Sequence, residues 1–210
     1  MNSVLVTAGP TREKIDPIRF ISNYSTGTFG YEIAGEAARR GYDVTLISGP
    51  TCLEVPRRVK LVRVESACEM RREVKKEARR AGCVIMAAAV CDWRVRSPGW
   101  KKIKRHRGDK TLKLEENPDI LEELGKHKRS VLVGFALETE NLEKNALSKL
   151  KRKNLDLIVA NKLSKRCGLF GAGPTDILMI DRLLRKETHR RKTKKELAKI
   201  ILDKVSKLGL

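Results

Sequence analysis

Cys83-Val84-Ile85-Met86-Ala87-Ala88-Ala89-Val90-Cys91 is the longest apolar run of the chain. Its nine residues are about half of the ~20 that a membrane-spanning helix needs. From Cys83 to Ala89 the run is apolar on every side, as a strand buried on both faces of a parallel sheet must be. Working outward, strand-like runs at Val4–Thr7, Val44–Ile47 and Leu61–Val64 precede it, and helical patterns at Phe29–Arg40 and Ala67–Arg80 separate them. Downstream, Val131–Ala136, Leu157–Ala160 and Ile177–Ile180 read as strands. Asn117-Pro118-Asp119 opens a helix between them, with Asn117 as N-cap and Pro118 at the first helical position. A basic helix at Lys194–Lys207 closes the chain. This alternation predicts an α/β, Rossmann-like fold: a mostly parallel sheet with helices on both faces. At 210 residues, without repeats or low-complexity tracts, it reads as one domain over residues 1–210.

The chain carries 46 Lys and Arg against 26 Asp and Glu, a formal charge of +20. Such an excess suits a polyanionic partner. Aromatic residues make up only 4%, however, too few for a base-stacking platform. Many charges alternate in sign, as in Arg71-Arg72-Glu73-Val74-Lys75-Lys76-Glu77, the pattern of a solvated helix face. The complete lack of Gln alongside 34% charged residues resembles the surfaces of thermophile proteins. The five cysteines form no Cys-x-x-Cys pair and have no histidine at metal spacing, so they read as free thiols of a reducing compartment. His106, His127 and His189 read as surface residues. Met1-Asn2-Ser3 runs straight into a strand pattern without a signal peptide, so a cytoplasmic protein with no membrane contact is expected.

One stretch breaks the rhythm. From about residue 94 to 113 the chain carries Arg94, Arg96, Lys101, Lys102, Lys104 and Arg105 with no helical period. A long basic insertion after the C-terminal end of a central strand is expected to be either a lid over a ligand or a disordered segment. The first loop excludes a dinucleotide site: Gly9-Pro10-Thr11-Arg12-Glu13 is no Gly-x-Gly-x-x-Gly, and the second strand ends at Ile47-Ser48 without a carboxylate. Instead, Ser25-Thr26-Gly27-Thr28-Phe29-Gly30 precedes the first helix. Two hydroxyls and glycines at a helix N-terminus suit an anion cradle, or equally an ordinary cap.

Val6-Thr7-Ala8-Gly9-Pro10-Thr11-Arg12-Glu13 with Ile15-Asp16-Pro17-Ile18-Arg19-Phe20-Ile21-Ser22-Asn23 resembles the opening of phosphopantothenoylcysteine synthetases. The resemblance continues, in order, through Ser25-Thr26-Gly27, Ala87–Trp93, Lys102-Ile103-Lys104, Asn117–Leu121, Gly134–Thr139 and Leu155–Asn161. That family joins 4′-phosphopantothenate to cysteine in coenzyme A biosynthesis. A triphosphate, CTP in most prokaryotic members, activates the carboxylate as an acyl-nucleotidylate with loss of pyrophosphate, and the amine then displaces CMP. The resemblance implies Mg²⁺, though the sequence names no ligand for it.

It also implies roles by position. Asn23 and Lys102 would be catalytic, Asn23 handling the acyl-nucleotidylate and Lys102 reaching the nucleotide phosphates from the lid. Lys104 and Arg105 would support that lid. Ser25, Gly27, Ala88, Ala89, Asp92, Gly134, Phe135, Lys149 and Lys153 would bind the nucleotide. Plain packing explains Ala88, Ala89 and Phe135 as well, and a solvated pair explains Lys149 and Lys153. Thr28, Lys162 and Phe170–Thr175 depart from the family pattern. A homodimer is implied, with a dimer-side segment at about residues 162–190 and contacts at Asp176–Asp181 and Leu183-Leu184. The decarboxylase often fused ahead of this domain lies outside the sequence: the chain is either stand-alone, with a separate decarboxylase as a partner, or one part of a bifunctional protein. The readings left open beside the ligase are a nucleic-acid-binding α/β module, using the basic loop and last helix, and an inactive nucleotide-binding regulator.

Overall fold

In the computed structural model, which describes residues 3–105, 111–163 and 173–209, strand β1 (Ser3–Ala8) leads into a hairpin of β2 (Arg12–Lys14) and β3 (Phe20–Ser22). Helix α1 (Thr28–Arg39), β4 (Asp43–Ser48), β5 (Val59–Arg63), α2 (Ala67–Glu77) and β6 (Cys83–Met86) follow. A second hairpin, β7 (Trp93–Val95) with β8 (Leu114–Glu116), precedes α3 (Ile120–Lys126), β9 (Val131–Glu138), α4 (Leu142–Arg152) and β10 (Leu157–Lys162). The described chain ends with β11 (Thr175–Asp181), β12 (Lys186–Lys192) and α5 (Lys194–Lys207).

Eight strands share one sheet in the order β12-β11-β10-β9-β6-β1-β4-β5. All its pairs from β5 to β10 are parallel; β11 and β12 add an antiparallel edge. The mostly parallel sheet expected from the alternating pattern is therefore the fold. Strand order runs one way from β1 through β4 to β5 and the other way from β6 through β9 to β10, so β1 and β6 bracket a topological switch point.

The core divides between the two faces of the sheet. Ile33 and Ala37 of α1 and Leu197 and Ile201 of α5 pack with Val6, Leu46 and Ile85 on one face. Met70 and Val74 of α2 and Ala146 and Leu150 of α4 pack with Leu5, Val84 and Leu132 on the other. Each fully buried Ile or Leu contributes roughly 1.5–3 kcal/mol. Two details hold the layers close. A Cβ on Gly30 would lie 2.5 Å from that of Ala8, so glycine lets α1 rest directly on β1. The buried Glu13 carboxylate accepts the Ala67 N–H at 2.8 Å, tying the first hairpin to the start of α2.

Several expectations need correction. The central strand ends at Met86, and residues 87–91 leave its ladder. The cap of α3 is Asp119, whose Oδ1 accepts the Glu122 N–H at 3.0 Å. Asn117 instead donates to the Cys91 carbonyl at 2.9 Å and accepts from Arg94 at 3.0 Å. The strand expected in the dimer contact, β11, lies between β10 and β12 in the sheet, a position that leaves that expectation as it stands. The edge belongs to β12, Lys-Glu-Thr-His-Arg-Arg-Lys, whose charges discourage pairing with another strand. His189, expected on the surface, is half-buried there, its Nε2 3.8 Å from the Glu187 carboxylate. His106, Cys167 and residues 170–172 lie outside the described residues. No described helix is long and apolar enough to cross a membrane.

Candidate active site

At the switch point the loops after β1 and β6 are laced together. The Ala89 N–H donates to the Gly9 carbonyl at 2.9 Å, and the Thr11 N–H donates back to the Ala89 carbonyl at 3.2 Å. Two buried threonine hydroxyls accept the neighbouring amides: Thr7 from Ala88 at 3.1 Å and Thr11 from Cys91 at 2.9 Å. The loop after β4 presses against this floor so closely that a Cβ on Gly49 would lie 1.9 Å from the Pro10 carbonyl oxygen. The Asn23 side-chain amide donates to the Ala89 carbonyl at 3.0 Å, which fixes the amide at the floor's edge.

Beside the floor, the chain enters α1 through Gly27 at φ 81°, a left-handed conformation. A Cβ there would come 2.7 Å from the Thr51 methyl. The Gly27 N–H donates to Ser25 Oγ at 3.2 Å, and the Thr26 and Thr28 hydroxyls lie 2.8 Å apart. The N-cap, Gly27, has no side chain to bond the first-turn N–H groups of α1, an arrangement that suits an anion.

Floor and cradle line one cleft of about 1440 Å³. Asn23, Ser25, Gly27, Ala88, Ala89 and Asp92 line it from this side. Phe135, Lys149 and Lys153 line it from β9 and α4. Phe135 meets Phe29 edge-to-face, with ring centroids 5.0 Å apart at 70°. Both lysines are held by carboxylates: Lys149 by Glu138 at 2.6 Å and Lys153 by Asp119 at 2.8 Å. Burial pushes the Glu138 carboxyl upward, but the Lys149 ammonium and the Asn145 amide outweigh it and hold it below the usual range. Asp119 follows the same balance, burial against Lys153 and the Glu122 amide. The two lowered carboxylates hold the lysine side chains in place across the cleft.

Not every expected residue reaches the cleft. Gly134 lies behind its wall, where a Cβ would sit 2.7 Å from a Leu155 methyl and 2.8 Å from a Leu121 methyl; it is a packing glycine. Lys102, Lys104 and Arg105 are exposed and do not line the cleft. The basic stretch also begins and ends in structure. Arg94 and Val95 pair with Glu115 and Leu114, and Arg94 bridges Glu115 at 2.8 Å. Further along, the buried Asp16 carboxylate accepts the Ile103 N–H at 3.1 Å and pairs with the Arg19 guanidinium, which donates to the Ile103 carbonyl at 2.9 Å. The Arg19 hydrogen bond leads in pulling the Asp16 carboxyl far below the carboxylate range, against burial. Residues 106–110 of the expected lid lie outside the described residues.

The cleft also holds residues that sequence reasoning missed or placed elsewhere. Lys162, Gly173, Pro174 and Thr175, expected on the dimer side, line it, as do Arg152 and Lys194. Among the described residues no three His, Cys, Asp or Glu side chains converge as a metal cage.

Residues 1–208 match the family described as "DNA/pantothenate metabolism flavoprotein C-terminal domain". The chain is 46% identical over 168 residues to the "Coenzyme A biosynthesis bifunctional protein CoaBC" of Escherichia coli K12, covering 78% of this chain and 41% of that protein. It is 43% identical over 205 residues to a "Cysteine/Cysteine sulfinic acid decarboxylase" of an unknown prokaryotic organism, covering 96% of this chain and 57% of that protein. The chain thus spans about half the length of these curated relatives. Among solved structures, the "C-terminal Domain of Coenzyme A biosynthesis bifunctional protein CoaBC" superposes with a TM-score of 0.85 at 38% identity, covering 98% of this chain and 94% of that one. With the match running nearly end to end, the chain belongs to the DNA/pantothenate metabolism flavoprotein C-terminal domain family.

Proposed function

We propose that the chain is a phosphopantothenate–cysteine ligase that uses CTP. The observation that carries this reading is the single cleft in which a backbone-laced floor, an amide fixed on that floor and an uncapped helix N-terminus face two anchored lysines. That set suits a reaction between two phosphate-bearing anions at one carbonyl carbon.

In the first half-reaction a carboxylate oxygen of 4′-phosphopantothenate attacks the α-phosphorus of CTP. The bond to the β-phosphate breaks and pyrophosphate leaves. In the second, the cysteine amine attacks the acyl carbon, the bond to CMP breaks, and the nitrogen gives up a proton. The cradle from Ser25 to Phe29 and the ammonium groups of Lys149 and Lys153 would hold the phosphates. Ala88 and Ala89 would let the base approach fixed backbone groups, with Asp92 and Phe135 beside it. Asn23 uses one amide hydrogen on Ala89, which leaves the second for the developing oxyanion. Lys102 would bring its charge from the lid, supported by Lys104 and Arg105. Mg²⁺ would enter on the triphosphate, which suits a cation that keeps most of its water and phosphate ligands. The same reading brings a cytoplasmic homodimer whose product a decarboxylase, fused or separate, would consume. Leu183 and Leu184, 65% and 46% exposed in the β11–β12 turn, are apolar groups that a second copy would cover.

The test is product analysis with phosphopantothenate, cysteine, Mg²⁺ and either CTP or ATP. Phosphopantothenoylcysteine with CMP and pyrophosphate is expected from CTP. Product from ATP alone would change the nucleotide, and product from neither would overturn the reading.

A further inference from the structure

Lys194 is the first helical residue of α5 and lines the cleft, although α5 is far from the strand ends in sequence. The packing of α5 on α1 explains its place. Arg40, just past the end of α1, bridges Asp203 at 2.7 Å and donates to the Lys199 carbonyl at 3.1 Å. Tyr42 reaches Ser206 at 3.3 Å. Later residues beyond α1 thus meet later residues of α5, so the two helices run side by side and begin at the same end of the sheet. Their beginnings differ. Helix α5 closes its own N-terminus with a capping box, in which Thr193 Oγ1 accepts the Glu196 N–H at 3.2 Å and Glu196 accepts the Thr193 N–H at 2.9 Å. Helix α1 has no side-chain cap.

We infer that Lys194 is a phosphate-binding residue of this cleft, contributing an ammonium from α5 to a terminal phosphate seated at the start of α1. Lys195 and Lys199 of the same helix are exposed, whereas Lys194 is half-buried. Burial lowers its amine, against the opposing charge of Glu32, one turn into α1. A desolvated ammonium beside an open helix N-terminus gains from a dianion that both can contact. The chemistry is a terminal phosphate, supplied either by the nucleoside triphosphate or by the phosphorylated pantothenate; both belong to the function proposed above, on which this inference rests.

The test separates the two layers. Binding of inorganic tripolyphosphate and of inorganic phosphate, measured by calorimetry on the whole chain, needs no turnover and so survives failure of the ligase reading. Lys194→Met is expected to weaken binding of at least one about tenfold to a hundredfold, the scale of a charge-assisted contact, with Lys194→Arg recovering most of it and Lys195→Met at wild-type level. In the assay, a raised KM for CTP alone assigns the triphosphate, and a raised KM for phosphopantothenate alone assigns the other phosphate. Wild-type affinity for both anions in Lys194→Met overturns the inference. It does so even if the melting temperature falls, because Lys194 then has a structural role only.

Discussion

The floor of the cleft and the basic stretch at about residues 94–113 are built on opposite principles. The floor, Gly9–Thr11 with Ala88–Cys91, contains no charged residue, and its two halves are laced by backbone hydrogen bonds and by two buried threonine hydroxyls. That stretch is crowded with Lys and Arg, and its described part is tied to the first hairpin by Asp16 and Arg19, which hold Ile103, and by the Ile15 carbonyl, which accepts the Gly99 N–H at 2.9 Å. The difference separates two demands of carboxylate activation. Placing an acyl carbon beside an α-phosphorus needs fixed geometry, which neutral, mutually bonded backbone supplies. Neutralising a triphosphate needs concentrated positive charge, and like charges clustered without a ligand repel one another.

The comparison breaks most easily at the floor. Gly49→Ala would push a methyl into the Pro10 carbonyl, and backbone cannot turn aside as a side chain can. A cost of about 3 kcal/mol is expected, which for a chain of this size lowers the melting temperature by on the order of 10 °C and disables the cleft. Unchanged melting and turnover would mean that the floor is not the rigid part.

A smaller effect is expected where floor chemistry meets substrate. Asn23→Asp would set a carboxylate oxygen against the Ala89 carbonyl and remove the donor facing the substrate. CTP should still bind and some acyl-cytidylate should form, with transfer to cysteine slowed by on the order of 10²–10³. Mass spectrometry after a denaturing quench should show the intermediate accumulating. Equal slowing of both half-reactions would reduce Asn23 to a residue that shapes the loop.

Lys102→Ala sharpens the comparison from the other side. Lys102 is exposed, so melting should not change, while nucleotide use falls by roughly 10². Stopped-flow measurement of CTP use at saturating phosphopantothenate reads this directly, and a wild-type rate would leave Lys102 a surface charge.

How legible all this was in the sequence differs by the range of the interactions. The central strand up to Met86 and the glycine turn into α1 are written in contiguous residues, so period and composition show them. Asn117 and Asp119 both suit a cap on either side of Pro118, and only the packing of Asn117 on Cys91 decides between them. The lid's base was read as loop because Trp93–Val95 and Leu114–Glu116 are too short to show a period. The strand β12 has no apolar residue to mark it. Gly134 looks the same in sequence whether it admits a ligand or two leucine side chains. Lys194 was invisible as a site residue because its place depends on how α5 lies along α1.

The central claim is that the cleft activates a carboxylate before any amine arrives. The direct measurement is pyrophosphate release with CTP, phosphopantothenate and Mg²⁺ in the absence of cysteine. A burst of pyrophosphate that approaches one per active site, matched by acyl-cytidylate in the quenched mixture, is the predicted result. Pyrophosphate that appears only once cysteine is added, with no acyl-cytidylate at any time, would contradict it.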